Sequence, residues 1–281
     1  MQTKIPNIDK LIEDALASYS GRSAEILIER YGLKSGKPKT LAELGEVYDI
    51  TRERVRQIEA AALESLREKI IDTIEAKLFL ELVTDYLDNV GRIRRSDLLT
   101  KDLMLLWQTK HPENVFSSRL NFLAEILGEP YVSYGDRDWH SVWYSDEKIY
   151  ETAKRVAAEL MKTRTHDFDE FLETVSSKFR LPTFLVVNYV TISKDFGVGP
   201  YGDLGATHWI HVNPKNVRDK IYLVLKRSQE PMHFKEVATL VNKLAKKRKA
   251  HHGTVHNELI KDPRFVWVKR GTYGLKEHVK R

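Results

Sequence analysis

Cysteine is absent from all 281 positions, which removes disulfides and thiolate metal sites from consideration. Long apolar runs are missing too. "FLVVNYV" at 184–190 is among the longest, far short of the roughly 18 residues that a membrane span requires. The N-terminal stretch "MQTKIPNIDKLIEDALASYS" is acidic and amphipathic, without the basic start and apolar core of a secretory signal. No Ser/His/Asp arrangement, paired carboxylate motif or glycine-rich phosphate cradle can be assembled from the chain. It therefore does not read as an enzyme, and no catalytic residue, cofactor, metal or small-molecule substrate is expected. A cytoplasmic protein without membrane attachment is the expectation.

What is present is globular: 42% of residues are apolar and 31% charged, too apolar for a disordered chain. The formal net charge is +6, and its distribution says more than its size. Residues 215–281 carry 18 Lys/Arg against 6 Asp/Glu, whereas the preceding 214 residues carry 28 against 34. A compact basic end on an acidic chain suggests a polyanion partner for that end.

Apolar spacing predicts helices over 7–19 and about 22–31, followed by the loop "GLKSGKPK" at 32–39. That loop has the wrong glycine spacing for a phosphate-binding loop, and Pro38 stands where Ser or Thr is needed. Thr40 and Glu43 form a capping box for a short helix with Leu41, Leu44 and Val47 as its apolar stripe. After a turn, Thr51 can cap the next helix, which buries Val55, Ile58, Ala62, Leu63 and Leu66. Its first two turns carry Arg52, Glu53, Arg56 and Gln57 on the opposite side, where desolvation would be costly. Two short helices, a tight turn and a polar leading edge on the second describe a helix-turn-helix. Arg and Gln match the acceptor and donor patterns of guanine and adenine, and Glu can accept from cytosine.

The stretch "LIERYGLKSGKPKTLAELGEVYDITRERVRQIEAAALESLRE" also resembles region 4 of bacterial primary sigma factors, over roughly residues 20–70. The resemblance implies that Arg52, Glu53, Arg56 and Gln57 approach base edges of double-stranded promoter DNA, and Thr51, at the head of the same helix, is counted among the DNA-binding residues. It places Lys39, Thr40 and Arg54 near phosphates or partner proteins. Asp49 departs from the family, which usually has Gly in the turn; Asp tolerates a left-handed backbone, so the turn should survive. Only about twenty residues precede this stretch, so a complete sigma factor is not expected.

From residue 91 a pattern of helices followed by an aromatic, glycine-bearing hairpin recurs three times. Helices near 96–107 and 113–127 precede "YVSYGDRDWHSVWYS"; helices near 147–162, 167–179 and 182–194 precede "FGVGPYGDLGATHWIHV". Helices near 215–227, 233–246 and 253–260 precede "RFVWVKRGTYGLKE". Each describes a winged helix. The last copy, about 215–278, resembles the HARE-type helix-turn-helix domain, also present in the delta subunit of some RNA polymerases, in its "TVHNELIKDPRF" and "GTYGLKE" blocks. Its candidate reading helix is 254–260, with Thr254 and with His256 and Asn257 facing outward. Lys269 and Arg270 fall at the wing tip, where phosphate contact is natural, and "KKRK" at 246–249 adds sequence-independent affinity.

Two rival readings are weaker. His251, His252 and His256, or His208 and His211, lack the cysteines and carboxylates of a metal site, so capping or nucleic-acid contact suits them better. Trp139, Trp143, Trp209 and Trp267 could stack on bases, but packing of each wing is the ordinary explanation. The expected architecture is mainly α with small β-hairpin wings, in tandem domains at 1–72, 73–145, 146–213 and 214–281. The expected function is sequence-specific binding of double-stranded DNA in transcription regulation. An RNA polymerase core partner, engaged through protein contacts, is the alternative.

Overall fold

The computed structural model describes residues 4–17, 19, 21–245 and 248–278. The fold is mainly α, with small antiparallel sheets, as the apolar spacing implies. Five helices come first: α1 (Ile8–Ala17), α2 (Arg22–Tyr31), α3 (Leu41–Tyr48), α4 (Arg52–Ile70) and α5 (Ile74–Asn89). Helix α1 buries Ile8, Leu11, Ile12 and Ala15, one stripe at helical spacing. Helix α2 stops at Gly32, which takes φ 63° and returns its N–H to the carbonyls of Ile28 and Glu29. A Cβ there would meet the backbone of Lys37 and Pro38 at 2.7 Å, so the loop closes on glycine. Helix α5 was not anticipated from the sequence.

Next come β1 (Ile93–Arg95), α6 (Ser96–Leu106), α7 (Glu113–Leu127), β2 (Tyr131–Ser133) and β3 (Val142–Tyr144). With α5 they make a winged helix whose sheet runs β1-β3-β2. Helices α8 (Glu147–Lys162), α9 (Phe168–Phe179) and α10 (Thr183–Val190) then lead into the hairpin of β4 (Phe196–Val198) and β5 (Leu204–Ala206). The last elements are α11 (Val217–Ser228), β6 (Met232–His233), α12 (Phe234–Lys243), α13 (His252–Lys261), β7 (Phe265–Lys269) and β8 (Thr272–Leu275). Their sheet order, β6-β8-β7, repeats that of the first winged helix. Strands β1 and β6 are short and were not read from the sequence.

Internal contacts divide the chain into two units: residues 1–159 with 172–194, and residues 160–171 with 195–281. In the first, one apolar core joins α1, α2, α4, α5, α6, α7 and β3, from Ile8 through Phe79 to Trp143. This core runs across the boundary expected at 72–73. Asn188 of α10 is fastened to the same body, donating to the Val90 and Ile93 carbonyls at 2.7 and 2.6 Å. In the second unit, α11–α13 and the β6–β8 sheet enclose Ile221, Val224, Val237, Val255, Leu259 and Leu275.

Candidate nucleic-acid interface

Helices α3 and α4 form the helix-turn-helix. Thr40 Oγ1 accepts from the Glu43 N–H at 3.2 Å, and Glu43 Oε2 accepts from the Thr40 N–H at 2.7 Å, closing the expected capping box. The Thr40 backbone N–H, and after it the Thr40 hydroxyl, hold the Glu43 carboxyl below the usual carboxylate range. In the turn Asp49 takes φ 52°, ψ 51°, so aspartate does adopt the left-handed conformation that usually falls to glycine. Gly45 is the residue the turn depends on in another way: a Cβ there would lie 2.8 Å from the Ile50 carbonyl oxygen. Sequence reading missed it, because an isolated glycine in a short helix gives no hint of what folds back over it. Thr51 then caps α4, accepting from the Arg54 N–H at 3.1 Å.

A small separate core of Ile26, Leu44 and Val55 locks α2, α3 and α4 together, with Leu41, Tyr48, Ile50 and Ile58 around it. Val47 corrects the predicted stripe. It is 58% exposed, since an eight-residue helix has only one flank turned to this core. Ala62, Leu66 and Ile70 sink the rear of α4 into the main core. The front stays in water: Arg52, Glu53, Arg54, Arg56 and Gln57 are all exposed, with buried Val55 on the reverse side.

Those exposed groups hold one another loosely. Arg56 donates through Nε and Nη2 to the two Glu53 oxygens at 2.9 and 2.6 Å. Arg54 Nη1 donates to Gln57 Oε1 at 3.2 Å. The Arg56 hydrogen bond keeps the Glu53 carboxyl below its ordinary range and pushes the guanidinium up. Both partners stay more than half exposed, so water or a base edge can replace either bond at little cost. Arg52 makes no hydrogen bond or ion pair among the described residues. Lys39 is more committed, with Nζ 2.9 Å from Glu29 Oε2. Behind it Arg30 bonds both Glu59 Oε1 and the Lys39 carbonyl at 3.0 Å, tying the 32–39 loop to α4. Arg30 is a positioning residue that sequence reading did not single out. The Tyr31 hydroxyl beside Glu59 is pushed up, first by burial and then by that carboxylate.

In the second unit α13 is capped by His251, whose ring nitrogen accepts from the Gly253 N–H at 3.2 Å. Capping accounts for His251, and the ring of His252 lies against it at 3.9 Å. Thr254 and Asn257 are exposed, but His256 is turned inward, contrary to expectation. Its Nε2 lies 3.0 Å from the Tyr273 hydroxyl and its ring stacks on Phe234 at 4.4 Å. The hydroxyl would otherwise be left in an apolar core, which explains the inward turn. Lys269 and Arg270 are exposed at the turn between β7 and β8. Of the basic run at 246–249, Arg248 and Lys249 are exposed, and Lys246 and Lys247 lie outside the described residues.

The winged helix of the first unit does not offer a comparable reading helix. Helix α7 buries Val115, Phe116, Leu120, Phe122, Leu123, Ile126 and Leu127 around nearly its whole circumference. Its start is held by Asp9, which pairs with Arg119 and with His111 Nε2 at 2.8 Å. Asn114 closes over Gly36, so the 32–39 loop is packed down as an inter-helix connection.

This geometry defines a DNA-binding type of helix-turn-helix: a buttressed second helix with an open, polar leading edge. Residues 15–68 match the family described as sigma-70, region 4. The similar relatives are RNA polymerase sigma factors. SigA of Nostoc sp. strain PCC 7120 is 52% identical over 56 residues, and SigA of Synechocystis sp. strain PCC 6803 is 50% identical over 56. The match takes in 20% of this chain and only 13–14% of those relatives. Residues 15–68 are thus a sigma-70 region 4 domain.

Proposed function

We propose that the protein is a sequence-specific, double-stranded DNA-binding transcription regulator. Helix α4 enters the major groove by its N-terminal end, where Arg52, Glu53, Arg56 and Gln57 meet base edges. Lys39, Thr40, Thr51 and Arg54 lie along the flanking phosphates. One observation carries this reading: those side chains stand in water on a helix whose rear turns are clamped in the core. The kinship of residues 15–68 with region 4 of proteins named RNA polymerase sigma factors supports transcription as the setting. The basic winged helix at 217–275, with Thr254, Asn257, Lys269 and Arg270 outward, supplies a second contact to DNA, in keeping with its resemblance to HARE-type domains.

Selection on randomised duplexes with the purified protein tests the proposal. A defined motif should emerge, and Arg56→Ala should weaken binding to it roughly 5- to 150-fold while leaving random duplexes nearly unaffected. Equal loss on all duplexes would reject base reading by Arg56. The acidic balance of residues 1–214 favours a second reading, an accessory protein that acts on RNA polymerase core mainly through protein contacts. Gel shifts with and without polymerase separate the two, since this reading requires polymerase for any retention of DNA.

A further inference from the structure

Two of the four hairpin tryptophans meet the packing expectation fully: Trp143 and Trp209 are each 1% exposed. Trp267 does not, at 63% exposure, and it makes no ring contact among the described residues. It lies on β7, the outer strand of the C-terminal wing. In the register, Phe265 faces Leu275 and Trp267 faces Tyr273, so Trp267 is the outermost member of the row that fills the core. Phe265, Leu275 and Tyr273 are buried, and the row then runs out into solvent at the indole. Lys269 and Arg270 follow within three positions, and exposed Ile260 and Lys261 close α13 on the same unit.

An indole left mostly in solvent, beside two cations with no ion pair among the described residues, offers a surface for an occupant. Strand addition to the β7 edge fits poorly, because a register shift between Trp267 and Lys269 and the lysine itself break up that edge. The cations ask for a polyanion, and the flat apolar ring asks for a π-face. Paired bases in a duplex present edges to a protein, and their faces are covered by stacking. An unpaired base offers both a face and a flanking phosphate. We propose that the C-terminal wing binds single-stranded DNA, with Trp267 stacked on an unpaired base and Lys269 and Arg270 on the adjoining phosphates. This shares with the preceding section only the polyanion reading of Lys269 and Arg270, and is independent of α4.

The full chain is titrated with a labelled oligo(dT) of about 20 nucleotides and with an abasic strand of equal length and charge. The wild type should bind oligo(dT) more tightly by roughly 5- to 150-fold, with quenching of indole fluorescence. Trp267→Ala should fall to the abasic level while Trp267→Phe keeps most of the margin, and Lys269→Ala should weaken both strands alike. Equal wild-type affinity for the two strands would overturn the stacking while sparing the polyanion reading; binding to neither would overturn both. A concentration-dependent dimer that Trp267→Ala abolishes would assign the indole to a second copy of the chain and likewise reject the proposal.

Discussion

Arg56 and Lys269 carry the same formal charge in different settings. Arg56 is bonded to Glu53 in a planar, two-point geometry, the same one it would use on a guanine edge. On the proposed reading, binding would exchange one fork for another, which suits discrimination between bases. Lys269 projects from a wing turn with no ion pair among the described residues, and its point charge suits any phosphate. Lys269→Ala is expected to weaken every duplex by a similar factor and to lower the slope of log affinity against log salt by about 1. Titration at several salt concentrations checks this, and a loss confined to one sequence would contradict it. His256 shows the opposite case. A polar side chain on a candidate reading helix serves the interior, because the Tyr273 hydroxyl needs a partner there.

At the scale of the element, α3 depends on its capping box. The Glu43 carboxyl is held down by the Thr40 backbone N–H and hydroxyl, so its folded pKa lies below the unfolded value of about 4.3. Stability from this group is present above that unfolded value and is lost as pH falls through the folded one. Acid melts should therefore show a component in the helix-turn-helix that Glu43→Gln removes; an unchanged pH profile in that variant would refute it. The turn is equally specific. Asp49 accepts a left-handed backbone and Gly45 yields space to the Ile50 carbonyl, so α4 leaves at the angle the turn dictates.

At the scale of the whole molecule, the first unit fuses the region 4 helices to a winged helix through one core. Leu66 and Ile70 of α4 share it with Phe79 and Leu87 of α5 and Phe122 and Leu123 of α7. A fragment of residues 1–72 should expose half of that core and unfold without a sharp transition, whereas 1–145 should melt cooperatively. Calorimetry on both fragments decides, and an equally steep melt for 1–72 would refute the shared core. The winged helix of this unit is a buttress, its α7 consumed by packing on α1, α2 and α4. The second unit repeats the order of elements and strands but leaves the exposed side of α13 and its wing in water.

Local chemistry was legible without coordinates. The Thr40–Glu43 box, the Thr51 cap, the helix limits near 113–127 and 147–162 and the polar front of α4 follow from short-range rules of capping and apolar spacing. The loop closed by Gly32 was legible in the same way. Long-range choices were not. Nothing near His256 announces Tyr273 seventeen residues on, and nothing in α7 says that its outer face will meet α2 and α4. Val47 fits the stripe of α3 as well as Leu44 does, and only the position of α4 leaves it bare. Trp143 and Trp267 both fall in aromatic hairpins, but Trp143 lands on the central strand of its sheet and is sealed, while Trp267 lands on an outer strand and stands largely in solvent. Burial depends on which surfaces arrive from elsewhere in the chain, and that is a property of the assembled core alone.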